Sequence, residues 1–171
     1  MDLDHIQLTS LICYQLYPES LINDSANIEK PALIKVEKIP AGVRYLGENH
    51  NQITFIVNNH EHAFLSDPEM ELLTGLLAAC NFSMVDISLV NFSKNTGLQY
   101  VDILNQFQSR HILMFGVNTE EIGLPFTIPF FQIQKFQQQT YLFNPAMADL
   151  IGNKELKMKL WNCLKTLFLS N

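Results

Sequence analysis

Few side chains in this 171-residue sequence combine the type and the spacing that chemistry needs, and the clearest group is His60-Glu61-His62. Two histidines flanking a carboxylate could begin a metal site, yet zinc normally takes three or four protein ligands. Spacing places no third ligand: His50 is distant, and His111 is expected at the opposite end of its strand. The alternative is a polar loop. Nucleophiles are equally hard to assemble. Ser66 and Ser93 have no histidine–carboxylate relay, and Cys13, Cys80 and Cys163 lie far apart inside apolar helical patterns. That setting suits packed, reduced thiols rather than activated ones. Asp86 precedes its strand, at the wrong end for catalysis, and Lys94 at a strand tip could meet an anion or stand in solvent. No catalytic residue, metal or cofactor is expected.

Composition narrows the field further. Apolar residues make up 47% and charged residues 16%, so a normal core is available while much of the surface is uncharged. Eleven Lys+Arg against seventeen Asp+Glu give a net charge of −6, and Arg44 and Arg110 are the two arginines. A groove that tracks phosphates needs many cations, so direct nucleic-acid binding is not expected. The N-terminal MDLDHIQLTS lacks a positive n-region, and no apolar run approaches the about 18 residues of a membrane span. A cytoplasmic chain without membrane contact is the expectation.

The elements that would position these groups follow from periodicity. Leu8, Leu11, Ile12 and Leu16 recur at helical spacing between Leu3 and Tyr17, and Pro18 stops the run. A polar linker over 23–32 separates this segment, 1–22, from a domain over 33–171. Ile53–Val57 (ITFIV), Ile87–Val90 (ISLV) and Ile112–Phe115 (ILMF) are short apolar runs, as strands covered on both faces would be. Asp67 is expected to cap a helix with Pro68 at N1 and an inward stripe of Met70, Leu73, Leu76, Leu77 and Cys80. A second helix is expected over Leu98–Phe107, with Val101 on its apolar face, then a helical turn around Glu120. Phe130–Phe136 and Thr140–Phe143 read as a hairpin near the sheet edge, joined by Gln137, Gln138 and Gln139. Asn144-Pro145 starts a short helical turn, and Asn153 caps a last helix with Leu156, Leu160, Cys163, Leu164, Leu167 and Phe168 inward. Trp161, Leu76, Leu77 and Phe115 are expected in the core.

Strand–helix alternation of this kind predicts an α/β fold, a three-layer α/β/α sandwich on a small, mostly parallel central sheet. Ligands of such sheets sit beyond the carboxyl ends of the strands. The tips there are Asn58-Asn59-His60-Glu61-His62, Asn91-Phe92-Ser93-Lys94-Asn95, Gly116-Val117-Asn118 and Asn144-Pro145-Ala146. None has a glycine-rich turn to cradle phosphate.

The order ITFIV, MELLTGLLAACNFSMVDISLVNFSK, RHILMFG and YLFNPAMADLIGNKELKMKLWNCLKTLF resembles the uracil-DNA glycosylase fold. Leu76-Leu77-Ala78-Ala79-Cys80-Asn81-Phe82 keeps that family's helix end, Asn91 its strand end, and Trp161 with Leu164 its last helix. The resemblance also implies a lost active site. Asn58, Asn59 and His60 stand where active members carry a glycine-rich acidic turn. Asn144-Pro145-Ala146 replaces a His-Pro-Ser loop, and Asn95 stands where one branch has an iron–sulfur cysteine. Hydrolysis without a positioned water and charge stabilisation of the leaving base should fail.

Within that fold the sequence is similar to the psi subunits of the DNA polymerase III clamp-loader complex. The phrases that carry this are IQLTSLICYQLYP at Ile6–Pro18, Phe64-Leu65-Ser66-Asp67-Pro68, and Pro145–Leu150 followed by Leu160-Trp161. The resemblance implies a non-catalytic adaptor of DNA replication. Its expected partners are clamp-loader ATPase subunits, through Leu8, Leu11, Ile12, Leu16 and Tyr17, and a chi-like subunit where one exists. The N-terminal helix could instead pack on its own sheet. The rival functions are a divergent DNA-base glycosylase orienting its ligand through Asn58 and Asn144, and a small-ligand sensor using the same cleft.

Overall fold

Alternation along the strands, together with the direction of each crossover, decides how this chain builds its sheet. The computed structural model describes residues 42–169. The segment 1–22, with Leu8, Leu11, Ile12, Leu16 and Tyr17, and the linker 23–32 lie outside the described residues. The elements are β1 (Tyr45–Leu46), β2 (Ile53–Val57), α1 (Asp67–Ala79), β3 (Ile87–Asn91), α2 (Tyr100–Phe107) and β4 (His111–Phe115). They continue as β5 (Ile133–Phe136), β6 (Gln139–Asn144), α3 (Met147–Ile151) and α4 (Lys154–Leu164), which ends in a π-turn at Lys165–Leu169. The fold is thus mixed α/β, with a six-stranded mixed sheet in the order β1-β3-β2-β4-β6-β5. The four inner strands are mutually parallel, and β1 and β5 close the edges antiparallel.

Successive side chains of a strand face opposite ways, and here they separate two apolar clusters. One contains Phe55, Val57, Leu89, Leu113, Phe115 and Leu142, packed under Leu73 and Leu77 of α1, Leu150 of α3 and Leu160 and Leu164 of α4. The other contains Ile56, Val90, Ile112, Met114 and Tyr141, packed under Ile103 and Phe107 of α2 and the loop residues Val117, Ile122 and Leu124. The chain passes from β2 outward to β3 through α1, then back across β2 to β4 through α2. Right-handed crossovers in opposite directions put those two helices on opposite faces. They also create a topological switch point between β2 and β4, where a crevice opens at the carboxyl ends.

The α2 face buries several hydroxyls. Thr54, Ser88 and Ser109 are fully buried there, and the Thr54 hydroxyl bonds Ser88 Oγ at 2.7 Å and Ser109 Oγ at 2.5 Å. Tyr141 is also buried, and its hydroxyl has no hydrogen-bond partner among the described residues. Burial, then the neighbouring Tyr100, pushes its pKa up to about 12.

Several boundaries differ from the sequence reading. Ser66, not Asp67, is the N-cap of α1, because Glu69 reaches back to the Ser66 backbone N–H at 2.8 Å. The second helix starts at Tyr100, so buried Leu98 precedes it, and Val101 faces out. The segment around Glu120 forms turns rather than a helix. Phe130 and Phe131 form a turn in which Phe131 N donates to Phe143 O at 2.8 Å, so β5 begins only at Ile133. Gln137 and Gln138 alone make the hairpin turn, both with positive φ, as a tight two-residue loop demands. Asn153 does cap α4, accepting from Glu155 N and Leu156 N. Leu77 and Phe115 are buried, whereas Leu76 and Trp161 are half-buried against the α1-side cluster.

Candidate functional site

A row of paired residues forms the last layer of the sheet: Asn91, Val57, Phe115 and Asn144, on β3, β2, β4 and β6. Above Val57 and Phe115 lies a cleft of about 370 Å3, within the size range of small-ligand sites. Its walls are the 58–62 loop after β2, Leu65, Ser66 and Glu69 at the start of α1, and Ala146–Ala148 after β6. Phe92 and Phe143 do not fill it; they pack against the cluster on the α2 side.

Asn91 is fully buried, and its side-chain amide has five hydrogen-bond contacts. Its Oδ1 accepts from Asn59 N (3.1 Å) and Ser93 N (3.2 Å). Its Nδ2 donates to Asn59 O (2.7 Å), His62 O (3.1 Å) and Ala63 O (3.1 Å). One amide therefore moulds the whole loop after β2. Asn59 continues the network. Its Oδ1 accepts from Glu61 N at 3.0 Å and His62 N at 2.9 Å, an Asx-type turn, while its Nδ2 donates to Glu69 Oε2 at 3.0 Å. Asn58 donates to Gly116 O at 3.2 Å and accepts a short hydrogen bond from Ser93 Oγ.

The β6 tip is drawn in closely. Gly116 N donates to Asn144 O at 3.1 Å, and Gly116 adopts φ +66°, with room for a Cβ only 3.0 Å from that of Ala146. A side chain there would clash and strain the turn, so glycine is required. Asn144 is fully buried, with Nδ2 3.4 Å from Met114 O and Oδ1 without a partner among the described residues. Half-buried Pro145 follows it. Neither Asn144 nor Pro145 lines the cleft.

Of the residues singled out by sequence, the cleft thus gathers Asn58, Asn59 and His60, with Asn91 beneath the loop and Asn144 behind the opposite wall. His60 and His62 are exposed, and among the described residues no group of three or more His, Cys, Asp or Glu could hold a metal ion. His111 sits at the amino end of β4. There burial, and next the charge of Arg110, lowers its pKa from the ordinary 6.5. Asp86 caps the preceding turn, accepting from Ser83 N (2.7 Å) and Ser83 Oγ (2.9 Å). The Ser83 backbone bond, then its hydroxyl, holds the Asp86 carboxyl below its usual range. Burial raises both the Cys80 and the Cys163 thiol pKa, which disfavours the nucleophilic thiolate.

Glu69 is the residue that sequence reasoning missed. It is buried in the cleft wall, and its Oε2 accepts from Ser66 N (2.8 Å), Ser66 Oγ (2.7 Å) and Asn59 Nδ2 (3.0 Å). The signal was available, since Ser66-Asp67-Pro68-Glu69 is the S-x-x-E pattern of a capping box.

The chain matches no protein-family model and no curated protein. No helix among the described residues is long and apolar enough to cross a membrane.

Proposed function

We propose that the chain is a non-catalytic, psi-like adaptor of the replication machinery. On this reading its described domain is a three-layer glycosylase-like sandwich whose active site has been converted into scaffold. The observation that carries the reading is the self-saturation of the β2 and β3 tips. Asn58, Asn59 and Asn91 spend their amides on one another's loops and on Glu69 rather than on the cavity. Glu69, the one buried carboxylate in the wall, is likewise fixed by three donors on Oε2. Ala146 stands where a serine of the lost loop would act, and it is pressed against Gly116. Apolar clusters on both sheet faces support the layered arrangement. Binding partners are then clamp-loader ATPase subunits and, where one exists, a chi-like subunit, in the cytoplasm.

Capture of clamp-loader ATPase from the same cell by the full chain tests this. Binding that is lost on removing residues 2–20, or on changing Leu11 and Ile12 together to Asp while the thermal melt is unchanged, is the expected result. No capture by the intact chain would overturn the proposal, and loss of fold in the double variant would show the segment packing on its own domain.

A further inference from the structure

Arg44 and Lys94 stand together at the carboxyl end of the sheet, and among the described residues no carboxylate lies within ion-pair distance of either. The Arg44 backbone and the Lys94 ammonium are held by neighbouring amide and carbonyl groups. Asn95 accepts from Arg44 N (2.8 Å) and donates to Arg44 O (3.2 Å) and Asn91 O (2.7 Å), fastening the approach to β1 against the tip of β3. Lys94 Nζ donates to His60 O at 2.6 Å, which draws the ammonium toward the 58–63 loop. Two hollows share Arg44, Lys94 and Asn95: one of about 280 Å3 reaching Val43 and Leu98, the other of about 500 Å3 walled by Ala63 and Phe64.

We propose that this shoulder is a docking site for a short acidic peptide segment of a partner protein, with an aliphatic or aromatic residue beside its carboxylates. A guanidinium offers a planar two-pronged donor to a carboxylate, and an ammonium adds a mobile point charge. Phe64 supplies an apolar wall next to both. Nucleic acid fits less well. Two cations neutralise too few phosphates to hold a long polyanion, whereas they match the one or two carboxylates of a short segment. The inference rests on the adaptor reading and deepens it by naming the chemistry of a partner.

The test titrates the full chain into a fluorescein-labelled Asp-Asp-Glu-Leu-Phe peptide with a free carboxyl end, and into an Asn-Asn-Gln-Leu-Phe amide. The acidic peptide should bind at low salt and weaken as salt rises, and the neutral one should not bind. Arg44→Gln and Lys94→Gln should each weaken Kd by about two- to fivefold with an unchanged thermal midpoint, and Phe64→Ala should weaken it too. Absence of binding at millimolar peptide, equal binding by the Arg44→Gln/Lys94→Gln pair, or tighter binding of oligothymidylate would overturn the site. No clamp loader is present in this assay. Failure here with intact clamp-loader capture therefore removes the shoulder alone, and the converse removes the adaptor reading alone.

Discussion

The cleft above Val57 and Phe115 and the shoulder at Arg44 and Lys94 flank the same loop, yet they use polar side chains in opposite ways. In the cleft, the Asn59 and Asn91 amides bond backbone groups of the 59–63 loop, and Glu69 Oε2 accepts from Ser66 and Asn59. On the shoulder, one amide (Asn95) fastens the Arg44 backbone, and among the described residues the side chains of Arg44 and Lys94 meet no opposite charge. A reacting group must keep a lone pair or proton for its substrate, whereas a structural group spends them at home. By that criterion the cleft is built for shape and the shoulder for contact.

The contrast can be broken most severely at Asn91. Asn91→Ala leaves the Asn59, His62 and Ala63 backbone groups without their partner and should cost about 3 kcal/mol in chemical denaturation. A loss below about 1 kcal/mol would mean that the loop does not depend on it. Glu69→Ala frees Ser66 N and Asn59 Nδ2 together and should cost about 1–2 kcal/mol, with α1 fraying first in amide exchange. On the shoulder, Arg44→Gln should leave stability within about 0.5 kcal/mol of the parent, because no counter-charge among the described residues is lost. A destabilisation matching that of Glu69→Ala would erase the distinction.

The smallest expected effect lies at the other end of the sheet. His111 packs edge-on to Phe168 with ring centroids 5.1 Å apart, and its buried Nδ1 has no partner among the described residues. Its folded-state pKa lies below the ordinary 6.5. The unfolded chain therefore binds this proton more readily, and stability should fall as pH drops through the ordinary value, levelling off below the lowered one. His111→Phe should flatten that part of the pH profile, and an unaltered slope would contradict the assignment.

Much of this arrangement was legible in the sequence because it rests on burial. ITFIV, ISLV and ILMF are strands because each is covered on both faces, and that coverage leaves an uninterrupted apolar run. The strand tips followed from the crossover rule, which put Asn58, Asn91 and Asn144 at one end of the sheet. What local pattern could not reveal was the use of those amides. Whether Asn91 faces a ligand or five backbone groups depends on the path of the 59–63 loop, which no spacing encodes. β1 was missed because two exposed residues carry no periodic signal; it exists through pairing with Leu89 and Val90. Trp161 shows the limit of size as a guide, since a large ring on a covering helix is only half-buried.

Base release from uracil-containing single- and double-stranded DNA is the most direct test of whether the cleft has become scaffold. The full chain should release no more uracil than a heat-killed control at any pH at which it stays folded. Release above that control, abolished by Glu69→Gln in a variant that still folds, would show a working carboxylate in the cleft and contradict the account.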